Sequence, residues 1–480
     1  MEGVTVLTEK ITTDLCIIGA GSGGLSLAAG ASQMGADVTL LERGEMGGDC
    51  LNSGCVPSKS LIAAAHAAQA VRGAGRFGVR AAAPEIDFQA VHDHVQDVIA
   101  SIAPHDSEDR FTGLGVRVIR AEGRFVAPRR VAAGDCEIEA KRIVIATGSR
   151  PLVPPIPGLD QTPFFTNETI FDNARPIDHL IVIGGGPIGM ELAQAHRRLG
   201  AQVTVIEGLV ALGNDDPELA EVVRRAFERE GISVHEGAKV TRVAAAAGGV
   251  VVEAEKEGQA LAITGSHLLL AVGRVPNLDG LDLDSAGIDH GPNGIKVDAR
   301  LRTSNRRVFA IGDAAEGYKF THVAGYHAGI VIRNALFRLP AKVDYRALPW
   351  VTYTAPELAQ VGMTEAQARA RHGEIRILRA PFADNDRARA ERETEGLLKV
   401  ITTRRGVVVG AGMVGEAAGE LIQPWCLPIA RRLKIGAVAG LILPYPTLGE
   451  INKRAAGSYF LPSLFGARTR MLVRLLLKLG

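Results

Sequence analysis

Cys50 and Cys55 stand in the run Gly47-Gly48-Asp49-Cys50-Leu51-Asn52-Ser53-Gly54-Cys55-Val56-Pro57-Ser58-Lys59. Two thiols that can close on each other trade a disulfide for two electrons. A bridge over so short a loop removes little freedom from the unfolded chain and is a weak staple, so its use is chemical. The Gly47-Gly48 turn and Pro57, a residue suited to a first helical turn, place Cys55 near a helix N-terminus, where partial positive charge favours a thiolate. Lys59, one turn further along, shares that face and adds a positive charge to it. Half of a zinc site is the rival use of such a pair. It lacks partners: Cys16, Cys136 and Cys426 are isolated, and no second Cys or His pair stands at ligand spacing.

A dithiol needs an electron source, and two nucleotide-binding signatures could position one. Asp14 to Ile18 predicts a short buried strand running into Gly19-Ala20-Gly21-Ser22-Gly23-Gly24, followed by a small-residue helix and a second strand, Val38 to Leu41, that ends at Glu42. Such glycines permit the turn and the approach of a pyrophosphate to a helix N-terminus, while the acid accepts from a ribose hydroxyl. The pattern recurs as the strand His179 to Ile183, the turn Gly184-Gly185-Gly186-Pro187-Ile188-Gly189 and the strand Val203 to Ile206 closed by Glu207. Two dinucleotides are therefore expected. Glu207 repels a 2′-phosphate, Gly208 follows it and no Arg or Lys stands beside it, which favours NADH over NADPH.

Further runs join these: Ala146-Thr147-Gly148, Gly189-Met190-Glu191, Ala271-Val272-Gly273-Arg274-Val275-Pro276-Asn277, Ala310-Ile311-Gly312-Asp313 and Tyr353-Thr354-Ala355-Pro356-Glu357. In this order and at these separations the chain resembles a class I pyridine nucleotide-disulfide oxidoreductase, the family of dihydrolipoamide dehydrogenase, glutathione reductase and mercuric reductase, over nearly its whole length. The resemblance implies an α/β fold with two Rossmann-like domains, one for FAD and one for NAD, and a C-terminal α+β dimerisation domain. It implies that Gly19, Gly21, Gly24 and Glu42 hold FAD together with Gly48, Gly123, Thr147, Gly148 and Asp313. Gly184, Gly186, Gly189, Glu207 and Gly273 fall to the nicotinamide cofactor. Lys59 and Glu191 would pair beside the flavin ring, the Lys steadying negative charge there. By the same likeness electrons pass from NADH through FAD to the Cys50-Cys55 disulfide, leaving Cys55 as the thiolate against the ring and Cys50 free to meet the substrate.

The chain departs from disulfide-reducing relatives in the run Leu443-Pro444-Tyr445-Pro446-Thr447-Leu448-Gly449-Glu450. Tyr445 takes the position of their His, and Glu450 that of the Glu orienting it. A phenol titrates near pH ~10 and an imidazole near ~6.5, so Tyr445 is a poor base at neutral pH. A tyrosine here is similar to mercuric reductase, where a soft metal bound to thiolates needs no proton relay. Neither paired cysteines after Cys426 nor a metal-binding domain ahead of the first Rossmann strand accompanies it. The expected acceptor is a disulfide or a thiol-bound soft metal. The alternatives are a dihydrolipoamide dehydrogenase that tolerates Tyr445 and, of another class, a membrane-docked electron-entry or partner-binding flavoprotein. Glu450 is expected to bond the Tyr445 hydroxyl. As a dimer, the chain would bring Tyr445 and Glu450 to the Cys pair of the other subunit.

Composition shifts divide the chain into residues 1–150 and 274–343 for FAD, 151–273 for NAD, 344–462 for the interface and 463–480 as a tail, with the Pro-rich link Pro151 to Gly158 at the first crossing. The tail carries Arg468, Arg470, Arg474 and Lys478 among Leu and Val, a basic amphipathic helix that either caps the dimer or lies on an anionic membrane. His92 and His94 with Asp93 and Asp97 fall on a helix whose stripe of Val91, Val95, Val98 and Ile99 explains it without a metal; His105, Asp106 and Asp109 follow past Pro104. His322 and His327 belong to a helix expected to pack beneath the flavin. A net charge of +1 argues against a general nucleic-acid surface, and 46% hydrophobic residues against extensive disorder. Few paired cysteines and no signal-like start in Met1 to Thr13 lead to the expectation of a cytoplasmic protein.

Overall fold

The computed structural model describes residues 9–479; the start of the Met1 to Thr13 segment through residue 8, and Gly480 of the tail, lie outside the described residues. The chain is α/β. Its first sheet is built on the strand Glu9–Ile18, whose last four residues are buried, as a parallel strand covered on both faces requires. That strand pairs in parallel with Val38–Leu41 and with Cys136–Ile145. Arg117–Ile119 and Val308–Ala310 extend the parallel set. The antiparallel pair Gly123–Ala127 and Arg130–Ala133 is attached to the opening half of Cys136–Ile145. The helices Ser22–Gln33 and Thr321–Ala335 pack together beside this sheet.

The second sheet repeats the plan with parallel strands in the order Ser233–Glu236, Gln202–Glu207, His179–Ile183, His267–Leu270, joined to an antiparallel trio spanning Ala238–Gly265. Ser149–Pro151 and Arg274–Pro276 pair antiparallel, so the chain passes from the first sheet to the second and back along two adjacent strands. The third sheet is antiparallel, in the order Pro349–Thr352, Glu357–Gly362, Val408–Gly415, Leu397–Thr403, Ile375–Pro381.

The strands predicted at Val38–Leu41 and His179–Ile183 have those limits. The strand predicted from Asp14 begins earlier, at Glu9, because residues 9–13 continue the register against Cys136–Ala140. The tail differs more. It forms a short helix, Leu461–Leu464, and a second, Ala467–Leu476, separated at Gly466, whose extended backbone and poor helix propensity end the first and start the second.

Buried charge ties the third sheet to the second. Lys399, 5% exposed, lies 2.8 Å from Asp216, 3.0 Å from Glu218 and 2.8 Å from Glu365, a set that leaves the buried ammonium fully paired. Trp350 Nε1 donates to Asp215 Oδ1 at 2.7 Å and fixes the strand that delivers Tyr353.

Candidate active site

The two glycine loops are built alike. Gly19 has φ +108° and a Cβ there would meet the Ala146 carbonyl oxygen at 2.4 Å; Gly184 has φ +113° and would meet that of Ala271 at 2.3 Å. Glu42 Oε2 accepts from Ala20 N–H at 2.6 Å and its Oε1 from Gly44 at 2.7 Å. Glu207 repeats this with Gly185 at 2.7 Å and Leu209 at 2.8 Å. Each carboxylate is thus fixed at the end of its strand, facing the loop that approaches a dinucleotide.

The Cys run is pressed onto the first loop. A Cβ at Gly48 would stand 2.8 Å from the Gly21 Cα, and Gly47 pairs with Gly21. Cys50 lies in the short helix Gly48–Asn52 and Cys55 opens the helix Cys55–Gly73. Both are free thiols. A cavity of about 1210 Å³ contains them and extends from Glu42 past Gly123, Thr147, Gly148 and Asp313 to Lys59 and Tyr353. This exceeds the roughly 300–1,000 Å³ of ordinary small-molecule sites and suits an elongated dinucleotide. Its lining fits FAD: it brings together an acid, a glycine loop, Asp313 and a thiol pair with a cation. Asp313 accepts from Ser149 Oγ at 2.6 Å, and burial raises its carboxyl above the usual range. The glycines of the second loop and Glu207 lie outside this cavity, while Pro187, Ile188 and Glu191 of the helix Pro187–Arg198 line it.

The thiols share one proton. Cys50 donates to Cys55, which lowers Cys55 to about 6 against the desolvation that opposes it, with Thr321 and the Lys59 charge lowering it further. The same contact, with burial, drives Cys50 far up. Over the neutral range the reduced pair is therefore a Cys55 thiolate beside a Cys50 thiol. Thr321 Oγ1 sits 3.4 Å from Cys55 Sγ. Lys59 Nζ lies 2.6 Å from Glu191 Oε2 and 4.4 Å from the centre of the Tyr353 ring. Glu191 is buried, and its other oxygen accepts from Tyr353 N–H at 2.8 Å.

Alkylation of the reduced protein by iodoacetamide is expected to rise with pH and reach half its maximum near pH 6, because the reactive species is the thiolate. Cys50→Ala should raise that midpoint most, Thr321→Val less and Lys59→Met least, following the sizes of the three contacts. A midpoint at the ordinary thiol value of ~8.5 would show that no such proton sharing occurs.

Some expected neighbours are elsewhere. Tyr445 is 71% exposed, and neither it nor Glu450 lines the cavity of its own chain. The expected bond between them is corrected: the Tyr445 hydroxyl donates to Asp386 Oδ2 at 3.1 Å, while Glu450 accepts from Thr447 N–H at its helix start. His322 borders the cavity and contacts the Pro349 carbonyl at 2.9 Å. His327 accepts from Gly312 N–H at 3.1 Å and meets the Tyr345 hydroxyl at 2.7 Å; burial lowers it to about 4, so it stays neutral. His92 and Asp93 touch on the helix Phe88–Ile102, but among the described residues no three His, Cys, Asp or Glu side chains converge to hold a metal.

Thr321, Asn167 and Arg274 escaped sequence reasoning. Asn167 donates to Asp49 Oδ1 at 3.0 Å and Arg274 lies 3.2 Å from the same carboxylate, holding the Cys run against the crossing strands. Arg274 was visible in the run containing Gly273, but no spacing signal linked any of these three to the thiols.

Residues 13–328 match the pyridine nucleotide-disulphide oxidoreductase family, and residues 348–456 match its dimerisation domain. Mercuric reductase of Streptomyces lividans is 35% identical over 455 residues, covering 93% of this chain and 96% of that protein. Dihydrolipoyl dehydrogenase of Geobacillus stearothermophilus is 35% identical over 459 residues, with the same shares. Among solved structures, LpdA of Mycobacterium tuberculosis superposes with a TM-score of 0.86 at 28% identity, over 93% of this chain and 99% of that one. The HOCl-induced flavoprotein disulfide reductase RclA of Escherichia coli, as a Cu(II) complex, gives 0.83 at 27%, over 92% and 99%. The family is FAD-dependent, uses a pyridine nucleotide, and its matched dimerisation domain supports a homodimer. With its paired thiols, duplicated glycine loops and matched dimerisation domain, the chain belongs to the pyridine nucleotide-disulphide oxidoreductase family.

Proposed function

We propose that this enzyme passes electrons from NADH to Cys50 and Cys55 and on to a thiol-bound soft metal ion, with disulfides as poorer acceptors. The observation that carries the reading is the unequal thiol pair in a dinucleotide-sized cavity, and the phenol of Tyr445, at the sequence position where disulfide-reducing relatives have an imidazole, supports it. FAD, when bound, supplies the two-electron relay between nicotinamide and disulfide. Gly19, Gly21, Gly24, Gly48, Gly123, Thr147, Gly148, Glu42 and Asp313 would hold it, and Lys59, oriented by Glu191, sets positive charge beside Cys55. Gly184, Gly186, Gly189, Gly273 and Glu207 would hold NADH.

Two electrons and one proton open the Cys50-Cys55 bond to a Cys50 thiol and a Cys55 thiolate. A mercuric ion carried by two small thiols exchanges them for Cys50 and Cys55, the displaced thiolates taking up the proton that Cys50 gives up. The two thiolates then give the metal two electrons, so that it leaves as the element while the Cys50-Cys55 disulfide re-forms. A disulfide acceptor demands more. Attack by Cys50 needs a group that takes its proton and returns it to the expelled thiolate, and Tyr445 does this poorly at neutral pH. We place Tyr445 and Glu450 against the Cys pair of the second subunit, since each lies outside its own chain's cavity, and place the enzyme in a reducing cytoplasm.

Purified enzyme is expected to oxidise NADH rapidly with thiol-complexed mercuric ion and slowly with lipoamide. NADPH should be poorer by about 100-fold or more in kcat/KM, because Glu207 meets a like charge. Fast lipoamide turnover without a mercury response would replace this reading with dihydrolipoamide dehydrogenase, which the 35% identity to the Geobacillus stearothermophilus enzyme favours.

A further inference from the structure

The family's dimerisation domain matches through residue 456 and leaves residues 457–480 beyond it. That stretch differs from the rest of a nearly neutral chain. It has four Lys and Arg and no Asp or Glu. In the helix Ala467–Leu476 and the turn after it, Arg470, Arg474 and Lys478 recur every fourth residue and form one stripe. Around the remainder lie Met471, Leu472, Leu475, Leu476 and Leu479, between 52% and 77% exposed. An apolar face this open, edged by cations, has a poor partner in water.

We propose that this C-terminal helix docks the enzyme on an anionic lipid surface, lying in the plane of the interface. Its leucines enter the acyl boundary, and its Arg and Lys stems run along them while their charges reach lipid phosphates. Ten residues of helix span about 15 Å, half of the roughly 30 Å hydrocarbon core, so the segment lies on a bilayer rather than crossing it. Charge selects this occupant over a second copy of the tail. Across a two-fold axis the tail would meet itself, bringing four cations against four with no acid to separate them. An anionic leaflet supplies the opposite sign. The docking stands independently of the acceptor and of the thiol chemistry.

The test is co-sedimentation of the full-length holoenzyme with phosphatidylcholine vesicles, with and without phosphatidylglycerol. Binding is expected only with phosphatidylglycerol and should weaken as salt is raised. Each basic residue near an anionic surface is worth roughly fivefold, so the triple variant Arg470→Glu, Arg474→Glu, Lys478→Glu should lose about 100-fold or more in affinity. It should keep NADH-driven acceptor reduction, which shows the fold intact. Leu472→Asp with Leu476→Asp should abolish binding at every salt concentration. Equal sedimentation with neutral and anionic vesicles overturns the proposal. So does binding that the triple variant retains, or a wild-type protein that ignores both vesicles while removal of residues 463–480 converts the dimer to a monomer.

Discussion

Cys50→Ser is expected to lower NADH-driven acceptor reduction by about a thousandfold or more while leaving FAD content unchanged. A serine hydroxyl replaces neither the disulfide that accepts two electrons nor the thiol that meets the acceptor. It does keep a donor to Cys55, whose largest stabilising contact comes from residue 50. The variant therefore separates two roles. Turnover is lost, yet Cys55 should still titrate well below an ordinary thiol. Cys50→Ala should lose turnover equally and also raise Cys55. Both are measured by steady-state NADH oxidation and by the pH dependence of single-thiol alkylation. Turnover surviving in Cys50→Ser would show that electrons leave the enzyme without the dithiol.

Tyr445→His is expected to raise lipoamide turnover by about 100-fold, within the range ascribed to a well-placed general acid or base. The hydrogen bond to Asp386 and that carboxylate's charge raise the Tyr445 phenol above its ordinary value, so it holds its proton at neutral pH. The same carboxylate would favour and orient an imidazolium, which can give its proton to a departing thiolate. Adding Asp386→Asn to Tyr445→His should remove part of the gain. Mercury-dependent oxidation should change far less, since metal exchange between thiolates needs no relay. If the unmodified enzyme already turns over lipoamide quickly and the substitution changes nothing, residue 445 does not control acceptor choice.

Much of this was legible because it is local. The strand Val38–Leu41 ending at Glu42 and the strand His179–Ile183 leading to Gly184 are short apolar runs punctuated by glycine and closed by an acid, and they formed where the pattern placed them. Cys55 opens its helix because Gly54 precedes it and Pro57 follows within the first turn. The interface elements were less legible. Residue 445, in the loop before the helix Glu450–Ser458, faces Asp386 at the start of the helix Asp386–Glu391 rather than Glu450, a pairing across 59 residues that no spacing rule reaches.

From its residues alone this chain determined a redox thiol pair, two dinucleotide loops and an α/β fold, since each depends on backbone geometry within a few residues. Only the tertiary structure decided which groups complete the site. Lys59 meets Glu191 across 132 residues and Cys55 meets Thr321 across 266, contacts created where helices distant in sequence come together. The proton shared by Cys50 and Cys55 belongs to that level too, because its place depends on burial and on neighbours drawn from distant parts of the chain.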